Sequence, residues 1–373
     1  MKKKQAKSLD GWLKRFPGTN AIPFAIDRRK LYRVRELYKG YDPKKPESWV
    51  STFDHGVYRW TIDPYTKEIR HLSPTEAVAE RLHDTSIGQA IGRFLEDSHK
   101  KTGKPVVGFM GGHGTLRNTP EFRSVAEIAR ALRRQEFTIV SGGGPGLMEA
   151  ANFGAFMAAY TDAQFEQGLH TLADEPDASK NADWVQSACR VRAQVLPKWN
   201  STELPESTSL GIPTWFYGNE PPNLFATHTG KYFFNSIRED GLVSVANGGI
   251  VFGPGAAGTV QEIFQDTTLN FYRTKETPPP SPMVLLGVDY WNPKSAQESQ
   301  IADPARPDPR KPVYPLLARL ANQASINFFG ALLLTDDAKR IVDFIAKSPK
   351  PLGIADSPST RADRYKGRAL ASL

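Results

Sequence analysis

Three glycine-rich stretches in this 373-residue chain have the composition of loops that hold a phosphate group. They span residues 111–115, 142–146 and 253–259, and each follows a short apolar run. Glycine lets the backbone approach a ligand closely, and the first turn of a following helix offers N–H groups and the positive end of its dipole. One such loop is most often a tight strand-to-helix turn. Three of them on one edge of a sheet predict a pocket for a phosphorylated molecule.

The third loop, GPGAAGT, also contains the G-x-G-x-x-G spacing of a dinucleotide-binding fingerprint. That fingerprint should lie in the first strand-to-helix turn, with an acidic residue about 20 positions later at the end of the second strand. Here it comes late in the chain, Glu276 falls in a loop, and Asp289 is too far along. No G-x-x-x-x-G-K-[ST] motif for a triphosphate is present either. We therefore interpret the G-x-G-x-x-G match as fortuitous.

Two of the loops carry a second pattern. Residues 141–148, SGGGPGLM, resemble the G-G-G-x-x-G-L-M stretch of the Lonely Guy family, and residues 254–262, PGAAGTVQE, are similar to its P-G-G-x-G-T-x-x-E signature. The order of elements over roughly 105–348 also looks alike. The resemblance implies a Rossmann-like nucleoside 5′-monophosphate phosphoribohydrolase, which splits the N-glycosidic bond to give free base and ribose 5-phosphate. It implies no cofactor, and a homo-oligomer of two or more subunits.

The resemblance also implies roles for individual residues. Glu262, one turn into the helix after the third loop, would stabilise the positive charge that develops on the sugar, or orient the attacking water. Lys231 and Arg238, on a helix expected over 225–239, would supply the positive charge of the family's preceding helix. The residues expected to bind the substrate and its phosphate are Gly112, Gly143, Gly144, Gly146, Met148, Gly255, Ala256, Ala257, Gly258 and Thr259.

Two departures from the family pattern keep other functions open. Ala256 replaces a glycine of the signature, and alanine would be strained there if the position needs a positive φ. The Arg that the family carries directly before the Lys is missing before Lys231, where the residue is Gly230. Both departures support an alternative, a non-catalytic nucleotide-binding sensor of the same fold. A weaker alternative, an NAD(P)-dependent oxidoreductase, rests on GPGAAG alone.

The elements that must position these loops alternate between apolar runs and helical patterns from residue 105 onward. This alternation predicts an α/β fold, a Rossmann-like doubly wound parallel sheet with helices on both faces. It follows a basic N-terminal α+β extension (1–100), in which the pattern over 51–72 predicts a β-hairpin and that over 85–101 a helix. The catalytic domain (101–348) contains a polar, largely helical insertion (161–207), and a tail (349–373) follows. Strands are predicted at 106–110, 137–140, 214–217, 250–252, 283–288 and 332–334.

Charge and composition limit the partners. The formal net charge is +8, and residues 1–50 alone hold 14 Lys and Arg against 5 Asp and Glu. Apolar residues interrupt these charges, so we expect part of 20–38 to pack on the body, while residues 1–7 should be mobile. For the same reason we do not expect nucleic acid to be a partner. No apolar run reaches the roughly 20 residues that cross a bilayer, and no secretory signal is evident, which predicts a cytoplasmic protein without membrane contact. The 7 His and 1 Cys show no metal-ligand spacing, so no metal is expected.

Overall fold

The computed structural model describes residues 22–63, 65–202, 208–216, 221–294 and 308–348. These residues form a seven-stranded parallel sheet in the order β4-β3-β2-β1-β5-β6-β7, with helices on both faces. The predicted α/β, Rossmann-like doubly wound fold is therefore confirmed. The strands are β1 (Val106–Met110), β2 (Thr138–Ser141), β3 (Ser209–Gly211), β4 (His228–Thr229), β5 (Ile250–Phe252), β6 (Met283–Leu286) and β7 (Leu332–Thr335).

The order of the strands reverses beside β1. The chain runs outward from β1 through β2 and β3 to β4, and then returns to place β5 on the other side of β1. Gly108 of β1 accordingly pairs with Val140 of β2 and with Ile250 of β5. Such a reversal opens a crevice at the carboxyl ends of the strands, and ligands of doubly wound sheets bind there. The first and third glycine-rich loops flank this crevice.

The helices pack on the two faces of the sheet, and the helix Pro120–Arg134 (α4) shows why these segments are helical. Thr119 accepts a hydrogen bond from Phe122 N, Pro120 opens the first turn, and buried apolar residues follow at helical spacing. The helices are α1 (Val34–Leu37), α2 (Phe53–Thr61), α3 (Pro74–Thr102), α4 (Pro120–Arg134), α5 (Leu147–Phe156), α6 (Asp162–Ala173), α7 (Asn181–Val195), α8 (Asn235–Val245), α9 (Ala257–Phe271), α10 (Val288–Trp291), α11 (Tyr314–Gln323) and α12 (Ala338–Lys347).

The hairpin predicted over 51–72 is wrong. Most of its first half is α2, which Thr52 caps by accepting a hydrogen bond from His55 N. Asp54, His55 and Val57 are buried, so the inward face follows the helical period and not the alternating one. Beyond α2 the chain does reverse direction, because Ile62 and Ile69 form an antiparallel bridge. The helix predicted over 85–101 is confirmed within the longer α3.

The helix predicted over 225–239 is only partly correct, because α8 begins at Asn235. Before it lies the edge strand β4, in which His228 pairs with Leu210 of β3. The strand predicted at 214–217 is not found over its described residues, 214–216, since Thr214 makes a single bridge to Tyr232 and the neighbouring strand is β3. A strand of two or three residues has no visible period, and its pairing depends on residues distant in sequence.

The N-terminal extension packs directly against the sheet. Tyr32 and Thr229 exchange two backbone hydrogen bonds of 2.9 Å, which continues the sheet beyond β4. Phe24, Ile26 and Leu31 are buried in the same apolar cluster as the strands. This confirms that part of 20–38 packs on the body, whereas residues 1–7 and the tail lie outside the described residues. Within the insertion, α6 and α7 confirm the helical prediction. In the described part of the chain, no helix is long and apolar enough to cross a membrane.

Candidate active site

A cavity of about 650 Å³ lies at the carboxyl ends of β1, β2, β3 and β5, where the strand order reverses. All three glycine-rich loops line it, together with residues from the first turns of α8 and α9. Its volume is within the range of small-molecule sites in proteins. The three loops that the sequence singled out therefore form one site.

The loops are held together by backbone hydrogen bonds centred on Gly112. Gly112 N donates to Pro254 O at 2.8 Å, and Leu147 N donates to Gly112 O at 3.1 Å. Gly146 makes the second contact possible, because its φ is +67° and a Cβ there would come within 2.2 Å of Gly112 O. The first loop is thus hydrogen-bonded to the third loop and to the residue that directly follows the second.

The N-terminus of α9 forms one wall of the cavity. Ala256, Ala257, Gly258 and Thr259 line it, and the N-cap residue Ala256 has no side chain that could cap the helix. The first-turn N–H groups and the dipole of α9 therefore make this wall attractive to an anion. Gly255 packs tightly beneath it, since a Cβ there would approach Thr259 Oγ1 to 2.2 Å.

Ala256 fits its position without strain. Its φ is −84° and its ψ is −159°, which is extended backbone that alanine adopts readily. The departure of this residue from the family's glycine consequently requires no left-handed conformation. The concern that Ala256 distorts the loop is not supported by its backbone geometry.

Glu262 lies one turn into α9 and lines the same cavity. Its Oε1 is 3.9 Å from Nη1 of Arg238, and its side chain is only 13% exposed. Burial raises the pKa of Glu262 to about 7; Arg238 opposes the rise and Glu239 adds to it. A carboxyl group that titrates near neutral pH in a cavity is suited to general acid–base chemistry or to stabilising a nearby cation.

Glu239 is a second carboxylate of the cavity, and it was missed by the sequence analysis. Its Oε1 lies 4.0 Å from Nη1 of Arg238. Asn235 Nδ2 donates to Oε1 at 2.7 Å, and Gln261 Nε2 donates to Oε2 at 2.9 Å. Its position directly after Arg238 was the one available signal. Its inward orientation depends on how α8 and α9 pack, which no local pattern shows.

The beginning of α8 is positioned by a residue of the N-terminal extension. Asp84 on α3 accepts hydrogen bonds from Phe233 N at 3.0 Å and from Phe234 N at 2.8 Å. Asp84 therefore accepts hydrogen bonds from backbone N–H groups at the start of the helix that carries Arg238 and Glu239. The extension contributes to the site indirectly, by fixing where α8 starts.

Lys231 does not lie at the cavity. Its ammonium group donates to Asp54 Oδ1 at 2.7 Å, and its side chain is 1% exposed. The Trp215 indole donates to the same oxygen at 2.9 Å, so the pair is enclosed between the extension and the sheet. The catalytic role expected for Lys231 rested on a helix over 225–239, and the structure places this residue in the segment that precedes α8.

The other predicted residues divide into two groups. The cavity is lined by Gly112, Gly144, Met148, Arg238, Ala256, Ala257, Gly258, Thr259 and Glu262. Gly143, Gly146 and Gly255 shape the loops from behind without lining it, as φ of +74° at Gly143 illustrates. The cavity is also lined by three further residues of the predicted loops, Gly111, His113 and Gly142. The lining residues that the sequence did not single out are Pro213, Thr214, Phe216, Pro221 and Glu239.

The insertion forms a second cavity of about 370 Å³ beside the first. The two share His113 and Pro221, and Asp177 and Trp184 of the insertion line the second one. Arg117 and Glu149, a buried ion pair at 2.5 Å, fix this wall, because Arg117 also donates to Trp184 O. The insertion is therefore built into the surroundings of the site.

Comparison with known proteins adds little to this geometry. No family model matches the sequence, and no curated protein matches it. A solved structure similar to this chain is that of the molybdenum cofactor binding protein from the phototrophic bacterium Rippkaea orientalis. The TM-score is 0.34 at 15% identity, over 65% of this chain and 96% of that chain. Similarity at this level carries no argument about ligand or activity, so the function has to be argued from the site itself.

Proposed function

We propose that this chain hydrolyses the N-glycosidic bond of nucleoside 5′-monophosphates and releases a free base and ribose 5-phosphate. The observation that carries the proposal is the placement of Glu262 and the N-terminus of α9 on one cavity wall. One rigid helix thereby offers an anion-binding end and, one turn later, a carboxylate. A nucleoside monophosphate matches this arrangement, because a ribose separates its phosphate from the anomeric carbon at which the bond breaks.

The reaction requires stabilisation of a cationic sugar. As the bond between C1′ and the base nitrogen breaks, its electron pair leaves with the base and positive charge develops on the ribose ring. Ionised Glu262 stabilises that charge, and it can accept the proton that water loses as its oxygen bonds to C1′. The departing base nitrogen takes up one proton, which balances the proton that water transfers to Glu262, so that Glu262 returns to its ionised form. A pKa of about 7 for Glu262 allows it to accept and return a proton near neutral pH.

The phosphate supplies binding energy at a distance from the reacting bond. It would lie against the first turn of α9, where Ala257, Gly258 and the Thr259 side chain line the cavity. Contacts at this remote group hold the sugar against Glu262 in the reactive geometry. The phosphate therefore contributes to turnover as well as to affinity.

The structure also changes how the family resemblance is applied. The arginine that the family carries on the helix before the P-G-G loop corresponds best to Arg238, because α8 is that helix and Arg238 lines the cavity. Glu239 then stands where the family has lysine. On this proposal Arg238 takes the role of the family's arginine, and the departure from the family lies at Glu239.

The test is incubation of the purified chain with a panel of nucleoside monophosphates and the matching nucleosides, followed by chromatography of the free base. We expect release from the monophosphates and at least about 100-fold less from adenosine than from AMP. Release of base from neither would contradict the proposal. Tight nucleotide binding without release would support the sensor, and binding of NAD(P)H alone would support the oxidoreductase. The proposal includes a homo-oligomer in the cytoplasm, which light scattering and localisation of the tagged chain would test.

A further inference from the structure

Glu239 is held in the cavity by both helices that build it. Asn235, one turn earlier on α8, donates to Oε1 at 2.7 Å. Gln261, which directly precedes Glu262 on α9, donates to Oε2 at 2.9 Å. An exposed glutamate would sample many rotamers, whereas this side chain is 11% exposed and fixed at both oxygens. Glu239 is therefore a carboxylate with a defined position relative to Glu262.

The two carboxylates are close enough to contact one sugar. Nη1 of Arg238 lies 3.9 Å from Oε1 of Glu262 and 4.0 Å from Oε1 of Glu239, so these oxygens are at most about 8 Å apart. In glycosidases, pairs of carboxyl groups at roughly 5–9.5 Å flank a single glycosidic bond, so a separation of this order allows both groups to contact one sugar. The shared arginine keeps the two acidic groups compatible in one cavity.

The chemistry of Glu239 identifies the part of the ligand that it can bind. A carboxylate repels a phosphate, so Glu239 does not belong to the phosphate end of the site. It accepts hydrogen bonds, at up to about four positions, which is enough to take ligand hydroxyls alongside the two amides. The hydroxyl groups of the ribose can donate these hydrogen bonds. In dinucleotide sites an acidic side chain binds the ribose 2′-hydroxyl in the same way.

We infer that Glu239 binds the ribose 2′-hydroxyl, with or without the 3′-hydroxyl, and makes the site specific for ribonucleotides over 2′-deoxyribonucleotides. The inference rests on the proposed function for the class of ligand. C2′ is bonded to C1′, the carbon that Glu262 faces in the proposed reaction, so one carboxylate beside each carbon is geometrically consistent. Hydrogen bonds to this hydroxyl strengthen as positive charge develops on the sugar, so Glu239 assists the transition state as well.

The test compares AMP with 2′-deoxy-AMP in the full-length wild type and in Glu239→Gln. We expect the wild type to favour AMP in kcat/KM by about 30-fold or more, and Glu239→Gln to reduce that ratio at least about 10-fold. The ratio is the informative quantity, because Glu239→Gln also changes the electrostatic field at Glu262 and that change affects both substrates equally. Asp240→Asn is the matched control. Asp240 is the next residue on α8, accepts a hydrogen bond from Gln265 at 3.0 Å, and does not line the cavity, so its variant should keep the wild-type ratio.

A binding measurement separates this inference from the proposed function. Titration calorimetry with ribose 5-phosphate and with 2-deoxyribose 5-phosphate needs no turnover, and the preference for the ribose form should disappear in Glu239→Gln. If that preference is lost as expected but no nucleotide is hydrolysed, the inference stands and the hydrolase proposal fails. Equal affinity of the wild type for the two sugar phosphates, or an unchanged preference for ribose 5-phosphate in Glu239→Gln, would overturn the inference.

Discussion

Two buried pairs, each made of one basic and one acidic side chain, lie on either side of the segment that leads into α8. The pairs differ in their separation, in their further hydrogen bonds and in their access to the cavity. Lys231 and Asp54 are 2.7 Å apart, and Trp215 donates a further hydrogen bond to the carboxylate. Arg238 and Glu262 are 3.9 Å apart, and their arginine also lies 4.0 Å from Glu239. The first pair is enclosed between the extension and the sheet, whereas the second lines a cavity.

The difference separates a pair that holds the fold together from a pair that is available to a ligand. A close pair with further hydrogen bonds compensates for burying its charges. In the looser pair the compensation is incomplete, and burial raises the pKa of Glu262 to about 7. Incompletely compensated charge at a cavity wall is typical of functional sites.

The largest effect is expected at the enclosed pair. Lys231→Met leaves the Asp54 carboxylate buried without its cation, and we expect the free energy of unfolding to fall by about 3–5 kcal/mol. Turnover per folded molecule should remain close to wild type, because Lys231 does not line the cavity. Urea unfolding and base release, measured on the same preparation, test both statements.

A double variant controls for the chemistry of this pair. Adding Asp54→Asn to Lys231→Met removes the stranded charge while keeping an acceptor for the Trp215 indole, so at least half of the lost stability should return. Loss of base release in Lys231→Met at unchanged stability would place Lys231 in the active site after all.

At the cavity pair, Glu262→Gln should reduce turnover of AMP at least about 100-fold, the effect of removing one electrostatic stabiliser. Affinity for ribose 5-phosphate should change little, since the phosphate contacts remain. Asp266→Asn is a matched control: it makes the equivalent change one turn further along α9, at a buried carboxyl whose pKa is raised to about 8 by burial and which does not line the cavity. Near-normal turnover in Glu262→Gln, or equal losses in both variants, would contradict the catalytic assignment.

These two pairs also show how far the sequence alone leads. Glu262 was predicted through the resemblance of residues 254–262 to a family signature, and its position one helical turn after the third loop is local in sequence. Lys231 was misplaced because residues 225–239 were predicted as one helix. In the structure His228 and Thr229 instead pair with β3, and Thr229 also pairs with Tyr32, which is distant in sequence. Glu239 was missed for a related reason: a glutamate on a helix is ordinarily exposed, and only the packing of α8 on α9 turns this one inward. Long-range contacts, and not local propensity, decided each of the errors.

Titration of Glu262 should make the stability of the wild type depend on pH, and a neutral residue 262 should remove this contribution. The pKa of Glu262 is raised from 4.5 to about 7 in the folded chain. A raised pKa contributes stability that is complete below pH 4.5 and is lost as pH rises through 7. Glu262→Gln should therefore match the wild type at pH 4 and exceed it by about 1–3 kcal/mol at pH 8. Thermal unfolding at a series of pH values tests this, and a gap that narrows with rising pH would contradict the assigned pKa shift.

The smallest expected effect is a displacement of the pH–activity profile by the two neighbours of Glu262. If ionised Glu262 is required, kcat/KM for AMP rises with pH and is half-maximal near pH 7 in the wild type. Arg238 lowers the pKa of Glu262, so Arg238→Gln should move the midpoint to higher pH by about one unit. Glu239 raises the same pKa, so Glu239→Gln should move the midpoint to lower pH by a similar or smaller amount. Opposite displacements would show that one carboxyl group, held between a cation and an anion, governs the reaction. Asp240→Asn should leave the midpoint unchanged, and displacement of both cavity variants in the same direction would mean that another group is being titrated.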